Sequence, residues 1–391
     1  MSKFYSFLIG LCFLFASCAE NETYVPANVV GTLLVYMDAD NSLTANVEDN
    51  LDSLAVGYQR SSAVGNLLVY VDDMGVDPVL YHFVKKDGAV EREVLKQYEE
   101  WTSTDPAVMR VVLTDAFSAY SSSVNTLVLW SHALSWLPAT RKKMSAKRSW
   151  GSDNGYQMDI TDLAAVFQSL PAIHIQNLIF DACYMSSIEV AYELRNSVDY
   201  IVASPAEIFD FGFPYQWLVP AFFENPLEPN RLAECYASYY DGTKKPRISN
   251  GYPTNYRMDG TIALIKCSAL QAVAEEVQQI VSSVSQDRLY GVDKSVLQPY
   301  FRSAEFEFCY DFLDYFQQIA TPTQYTSLET VWNQCVLYKH TTSNFIGLSI
   351  DPAKFSGVAT YVVQSSGIND AWDSFYPSLE WSKDSGIVPL P

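Results

Sequence analysis

The sequence predicts an α/β fold, a mostly parallel central sheet flanked by helices on both faces. Three observations predict it. Short apolar runs recur that are hydrophobic throughout and do not alternate: TLLVYM (32–37), NLLVYVDD (66–73), NTLVLWSH (125–132), NLIFDAC (177–183) and YIVAS (200–204). Strands of this kind are buried on both faces, the condition of a parallel sheet under two layers of helices. Between them lie segments with helical spacing. In the stretch 159–170, Ile160, Leu163, Ala164 and Phe167 fall at i, i+3, i+4 and i+7. Finally, 391 residues with 49% hydrophobic and 18% charged side chains can build a large core and do not read as disorder.

The elements follow in order. The N-terminus, MSKFYSFLIGLCFLFASCAENE, is a targeting segment and stays outside the fold. Lys3 gives its positive end, and a short apolar stretch runs to small residues before Cys18. This resembles the lipobox of bacterial lipoproteins, which implies cleavage before Cys18 and lipidation of it; the alternative is an ordinary secretory signal with an incidental cysteine. Residues 1–17 are therefore read as a lipoprotein signal peptide and 18–30 as a tether. Strands at 32–37 and 66–73 each end on acids. A helix is expected over 107–120, then the strand 125–132, the helix 159–170 and the strand 177–183. SSIE (186–189) reads as a capping box, with Ser186 at N-cap and Glu189 at N3, opening the next helix. The strand 200–204 follows. After about residue 245 the alternation blurs. The stretch 261–284 reads as a strand and a long helix, and NFIGLSID and VATYVVQ as strands that extend the same sheet or build a second layer. No repeat or low-complexity tract is present. Residues 31–245 are read as one domain and 246–391 as a C-terminal extension packed on the same sheet.

Charge and cysteines exclude several classes. The net charge is −20, from 45 acids and 25 bases, which repels nucleic acid and anionic lipid. Five of the bases, Arg141, Lys142, Lys143, Lys147 and Arg148, crowd into eight residues of an exposed polar loop between the third strand and the next helix. Beyond Cys12 and Cys18, five cysteines remain: Cys183, Cys235, Cys267, Cys309 and Cys335. Five is odd, and no CxxC occurs, so neither a disulfide framework nor a zinc site is indicated. The last four lie in apolar or mixed runs and are expected as buried small hydrophobes.

The chemistry concentrates at two strand ends. His132 and Cys183 each close a buried strand, and in open α/β sheets ligands bind beyond the carboxyl ends of strands. Consecutive strands joined by one crossover are usually close. A thiol beside an imidazole is a nucleophile beside its base. The helix start just after Cys183 favours the thiolate, while Asp181 and Glu189 oppose it unless they point elsewhere. Taken singly, a cysteine at a strand end is more often packed core and a lone histidine more often structural. Of His82, His132, His174 and His340, only His132 ends a strongly apolar strand.

These stretches resemble a known family. LVLWSHALSW is similar to L-[IV]-L-W-x-H-G-x-G-W, and FDACYMSSIEVAYELRNSVDYIVAS follows a D-A-C-x-M-x-x-[IL]-E-V pattern. Both patterns are those of clostripain-like cysteine peptidases, and YMDADNSL resembles that family's Y-x-x-x-D-N-[NS]-L. The resemblance runs from about residue 31 to 225. It implies a caspase-like fold, with His132 as the base and Cys183 as the nucleophile. The backbone N–H groups of Cys183 and Ala133 become the oxyanion donors. Asp181 becomes the acid of a pocket for Arg or Lys; the other reading of Asp181 is a structural acid bonded to backbone N–H groups. Lys147 or Arg148 becomes a self-cleavage point; the other reading is a solvated basic loop. No cofactor is needed for the chemistry. Some members use calcium, for which Asp38 and Asp40, or Asp72 and Asp73, are the candidate donors. Two positions depart from the pattern: Ala133 and Ser135 stand where the family has glycine.

The expectation is thus an exported, lipid-anchored, monomeric cysteine endopeptidase at the outer membrane or surface of a Gram-negative bacterium. It would cleave proteins or peptides after Arg or Lys and would not bind nucleic acid. The alternative is a catalytically silent surface lipoprotein of the same fold that acts as a binding module; Ala133 and Ser135 favour it, and the retained His132 and Cys183 oppose it.

Overall fold

The computed structural model describes residues 29–62, 64–138, 149–224, 227–241, 259–302, 308–363 and 370–389. Cys18, the signal segment, Lys147 and Arg148 lie outside the described residues. Among those described, the strands are β1 (Thr32–Ala39), β2 (Asn66–Asp73), β3 (Val76–Lys86), β4 (Ala89–Gln97), β5 (Asn125–Trp130), β6 (Ala133–Leu134), β7 (Ser149–Asp153) and β8 (Tyr156–Met158). After them come β9 (Ile175–Asp181), β10 (Val198–Ala203), β11 (Thr261–Lys266), β12 (Tyr310–Asp311), β13 (Val336–Thr341), β14 (Asn344–Phe345), β15 (Leu348–Ser349) and β16 (Ala359–Thr360).

Nine of these form one sheet in the order β13-β11-β10-β9-β5-β1-β2-β3-β4. The five central strands, β10, β9, β5, β1 and β2, are parallel. Antiparallel strands close both edges. The expected mostly parallel sheet is thus present, and all eight residues of β1 and all six of β5 are buried. Side chains alternate between two cores. Leu34, Tyr36, Leu127 and Leu129 face one, and Leu33, Val35, Met37 and Val128 face the other.

Helices cover both faces. Helix α1 (Val47–Arg60), α5 (Tyr215–Phe222) and α6 (Asn230–Tyr240) pack on one; α2 (Pro106–Ala119), α3 (Ile160–Gln168), α4 (Ile188–Leu194) and α7 (Leu270–Ser283) pack on the other. The order of the strands reverses between β1 and β5, because β2 lies on one side of β1 and β5 on the other. That reversal opens a crevice at the carboxyl ends of β1, β5 and β9, the place where such sheets take their ligands. No helix among the described residues is long and apolar enough to cross a membrane.

Three expectations change. The helix after Cys183 starts one residue later than read: Ser187 is the N-cap, and its hydroxyl accepts from Val190 N–H at 3.3 Å. Glu189 is no cap residue. It is fully buried, and its Oε1 accepts from Tyr361 N–H, Thr360 Oγ1 and Tyr376 OH. Nor do NFIGLSID and VATYVVQ join the large sheet; they supply the short pairs β14–β15 and β16 with β12. On that side of the large sheet β11 comes from 261–266, a strand the sequence predicts, and the edge strand β13 from 336–341, which carries no clear strand signal.

The segment around β16 clamps the start of α4. Ala359 N–H donates to Ser186 O at 2.8 Å, Ser186 Oγ donates to Gly357 O at 2.8 Å, and Glu189 completes the contact from the first turn. Burial holds the Glu189 carboxyl above its ordinary range. Replacing Glu189 by Ala leaves two donors and a buried N–H without their acceptor. Chemical denaturation of Glu189→Ala should show about 2–3 kcal/mol of lost stability, with Glu189→Gln, which keeps an acceptor oxygen, losing distinctly less.

Candidate active site

The pairing of β5 with β9 sets Trp130 opposite Asp181. Each chain then runs two residues past its strand, to His132 and to Cys183. Both side chains line one cavity of about 340 Å³, together with Leu43, Ala133, Leu134, Asp181, Glu207, Asp210 and Gly212. The two residues singled out in the sequence therefore meet. The other histidines do not approach it: His82 and His340 lie on β3 and β13, and His174 pairs with Asp199.

Cys183 sits on a tight turn. Tyr184, the next residue, is buried and left-handed at φ 62°, and its N–H donates to Ala206 O at 2.9 Å. A bulky residue in that region costs about 1–3 kcal/mol. The turn holds the thiol against the segment after β10, where Ile208 N–H donates to Cys183 Sγ at 3.3 Å. The other cysteines, Cys235, Cys267, Cys309 and Cys335, are buried, and none forms a disulfide among the described residues.

The His132 loop is fixed from below by Asp38, at the end of β1. Ser131 Oγ donates to Asp38 O at 2.8 Å and to Asp38 Oδ2 at 3.1 Å. Ser152 N–H, on β7, donates to the same Oδ2 at 2.7 Å, and Gly151 N–H donates to His132 O at 2.9 Å. Gly151 has φ 80°, and a Cβ there would stand 2.4 Å from Thr104 Cγ2 and 2.8 Å from Asp38 Oδ2. Only glycine lets β7 lie this close. Since β7 also pairs with β6, the strand that begins at Ser149 borders the His132 loop at both His132 and Ala133.

Ala133 and Ser135 answer to different constraints. Ala133 lies in β6 opposite Trp150, and its φ is not left-handed, so alanine fits without backbone strain. Ser135 has φ 59° and is fully buried. Its hydroxyl donates to Ser187 Oγ at 2.7 Å, which ties the His132 loop to the N-cap of the helix behind Cys183.

Asp181 is 4% exposed. Its Oδ2 accepts from Phe213 N–H at 2.8 Å and Tyr215 OH at 2.7 Å, while burial pushes its pKa up to about 7. Asp210 is exposed at the same cavity. Glu207 also lines it and is paired with Arg302. Neither Asp210 nor Glu207 was singled out in the sequence, because a lone acid in a loop carries no local pattern.

Asp38 and Asp40, the named calcium donors, separate: Asp38 is fully buried and committed to Ser131 and Ser152, whereas Asp40 is half-buried. Among the described residues no three acidic, histidine or cysteine side chains gather to hold a metal ion. What gathers instead is a set of buried carboxyls. Ser103 Oγ donates to Asp72 Oδ2 and Ser103 N–H donates to Asp153 Oδ2, which brings both carboxyls onto one residue. Burial first, then neighbouring carboxylate charge, pushes Asp38 up to about 7. Burial likewise leads in raising Asp72 to about 8 and Asp153 to about 6.

These carboxyls bind protons more tightly in the folded chain than in the unfolded one, where the ordinary value is 3.8. Their contribution is therefore fully present at low pH and is lost as pH rises through the folded values. The unfolding midpoint should fall between about pH 5 and about pH 8.5, and Asp72→Asn should shrink that fall; an equal fall in both proteins would assign it elsewhere.

Comparison with known proteins follows from this geometry. A model of the clostripain family matches residues 35–385. Clostripain of Hathewaya histolytica is 25% identical over 219 residues, 47% of this chain, and the match spans only 40% of that relative's length. A secreted cysteine protease of Bacteroides thetaiotaomicron, solved with an irreversible peptide inhibitor, superposes with a TM-score of 0.78 at 30% identity, over 91% of this chain and 99% of that one. An inactive zymogen protease of Parabacteroides distasonis superposes with a TM-score of 0.77 at 29% identity, over 92% and 99%.

Proposed function

The chain belongs to the clostripain family of cysteine peptidases, and from that premise we propose that it is an exported endopeptidase that cleaves after Arg or Lys through an acyl-enzyme. The observation that carries the reading is the single cavity lined by His132, Cys183, Asp181 and Asp210. His132 takes the thiol proton as the sulfur attacks the scissile carbonyl carbon. The carbonyl electron pair moves to oxygen, which in this reading accepts from Cys183 N–H and Ala133 N–H. His132 then returns the proton to the leaving amine, and water releases the acyl group by the same steps. No step uses a metal.

A basic P1 side chain would meet Asp210 at the rim and Asp181 further in. A cation there keeps Asp181 ionised against the pull of burial. Glu207 is already neutralised by Arg302, which leaves Asp210 as the exposed acid. Cleavage at Lys147 or Arg148 would free the chain just before β7, and the zymogen named among the similar structures supports a processing step. Export fits the similar protease described as secreted, and anchoring through Cys18 is part of the proposal. A silent binding protein is the second reading. The ordinary φ of Ala133 and the bond from Ser135 to Ser187 count against it, because the two lost glycines leave the loop unstrained or compensated.

Fluorogenic peptides with Arg, Lys, Asn or Asp before the cut provide the test. Hydrolysis after Arg and Lys should disappear in Cys183→Ala. Asp210→Asn should lower kcat/KM for those peptides by about ten- to a hundredfold, since it removes one charged partner of a partly desolvated cation. A folded chain that cleaves none of them moves the choice to the binding protein.

A further inference from the structure

The stretch after β1, DADNSL (38–43), places a hydroxyl on the imidazole. Ser42 Oγ lies 2.9 Å from His132 Nε2. Ser42 opens a short 3-10 turn, Ser42–Asn46, and the residues on both sides of it are pinned. Asn41 caps the turn, its Oδ1 accepting from Leu43 N–H at 2.9 Å. The same side chain donates through Nδ2 to Asp38 O at 3.0 Å and to Ser152 O at 2.7 Å. Leu43 is buried and lines the cavity, and Thr44 Oγ1 donates to Asp73. Asp38 accepts from Ser131, the residue before His132, and Ser152 follows Gly151, whose N–H donates to His132 O. One set of bonds therefore fixes both the imidazole's main chain and the hydroxyl that meets its ring.

A ring nitrogen that holds a hydrogen bond to Ser42 is not the nitrogen that takes the thiol proton. If His132 is the base, Nδ1 must be unprotonated at rest, and the neutral ring then carries its proton on Nε2. We propose that Ser42 is a positioning residue for His132: its Oγ accepts the Nε2–H bond, holds the ring in that tautomer, and so keeps Nδ1 unprotonated to take the proton of Cys183. This rests on the peptidase reading above. In the acylation step the S–H bond breaks, its proton goes to Nδ1, and the sulfur pair forms the bond to the carbonyl carbon. The imidazolium then carries both N–H groups, and the bond to Ser42 becomes charge-assisted and stronger. When Nδ1 gives its proton to the leaving amine, the ring returns to the tautomer it began with. Ser42 is solvent-exposed, so water can take over part of its role, and its removal should be felt less than the loss of a buried carboxylate partner.

Two measurements on the full chain test this. Ser42→Ala should lower kcat about tenfold, with KM for an Arg peptide unchanged within about twofold, and Ser42→Thr should restore most of the rate because it keeps the oxygen. In chains labelled with nitrogen-15 at histidine and carrying Cys183→Ala, the ring shifts of His132 should report the Nε2–H tautomer. That signal is assigned by its absence in His132→Gln. Adding Ser42→Ala should yield a mixture of tautomers while the unfolding midpoint stays put. An unchanged kcat in Ser42→Ala, or an Nδ1–H tautomer at His132 with Ser42 present, would overturn the assignment. A chain that hydrolyses nothing overturns the peptidase reading, and the nitrogen shifts still decide the tautomer.

Discussion

The parallel pairing of β5 with β9 is the constraint on which the site depends. It sets Trp130 beside Asp181, so that two loops of equal reach leave the same edge of the sheet side by side. Neither loop could hold that geometry alone. Each strand of the pair is buried on both faces, and a shift of one residue would turn every side chain of it to the opposite core. The apolar pattern that makes the sheet thereby also fixes the approach of His132 to Cys183. The reversal of strand order at β1 and β5 supplies the remaining space, because the chains leaving those two strands diverge to opposite faces.

Polar bonds then refine what the sheet sets. The His132 loop rests on Asp38, which ties β1, the loop and β7 together through one carboxylate. The Cys183 loop rests on the segment from Gly357 to Tyr361, which bonds Ser186 and Glu189. These are buried polar contacts, and removing one partner strands the other without water, which is why such groups specify a geometry more than they add stability. The carboxyls of Asp72 and Asp153 illustrate the cost. They sit together away from solvent and share hydrogen bonds with Ser103, and their raised proton affinity measures how unfavourable it is to charge them there. The C-terminal third of the chain has a comparable role at the other loop: besides the two antiparallel strands β11 and β13, it supplies the acceptors and donors that hold the start of α4.

Much of the sheet was legible in the sequence because a strand buried on both faces needs no partner to be recognised; its apolar run is the signal. The hairpin of β3 and β4 was not, since β4 is almost wholly exposed and carries charges at the positions where a buried strand would carry aliphatics. The motif at 186–189 had the composition of a capping box, yet Glu189 is drawn inward by Tyr361, Thr360 and Tyr376, residues about 170 positions away or more, and no local pattern encodes that. Ser42 was hidden for the same reason: its partner is 90 residues distant. The apolar strands that end near His132 and Cys183 are readable in the sequence; the residue proposed to position His132 comes from a contact across the fold.

Ser135 shows how a departure from a pattern can be absorbed. A glycine at φ 59° pays no steric penalty, and a serine there costs about 1 kcal/mol or somewhat more. The strain comes from the Cβ, but the same side chain carries a hydroxyl that donates to Ser187 Oγ at 2.7 Å, and a buried hydrogen bond contributes about 1 kcal/mol in return. The two terms are of one size and opposite sign. The exchange is not neutral in consequence, however, because the bond joins the loop of the proposed base to the helix behind the proposed nucleophile, a link that glycine cannot make. Ala133 needs no such offset, since β6 holds it in an ordinary strand conformation. A chain that uses both loops in one step, as proposed, would gain rigidity from this bond between them.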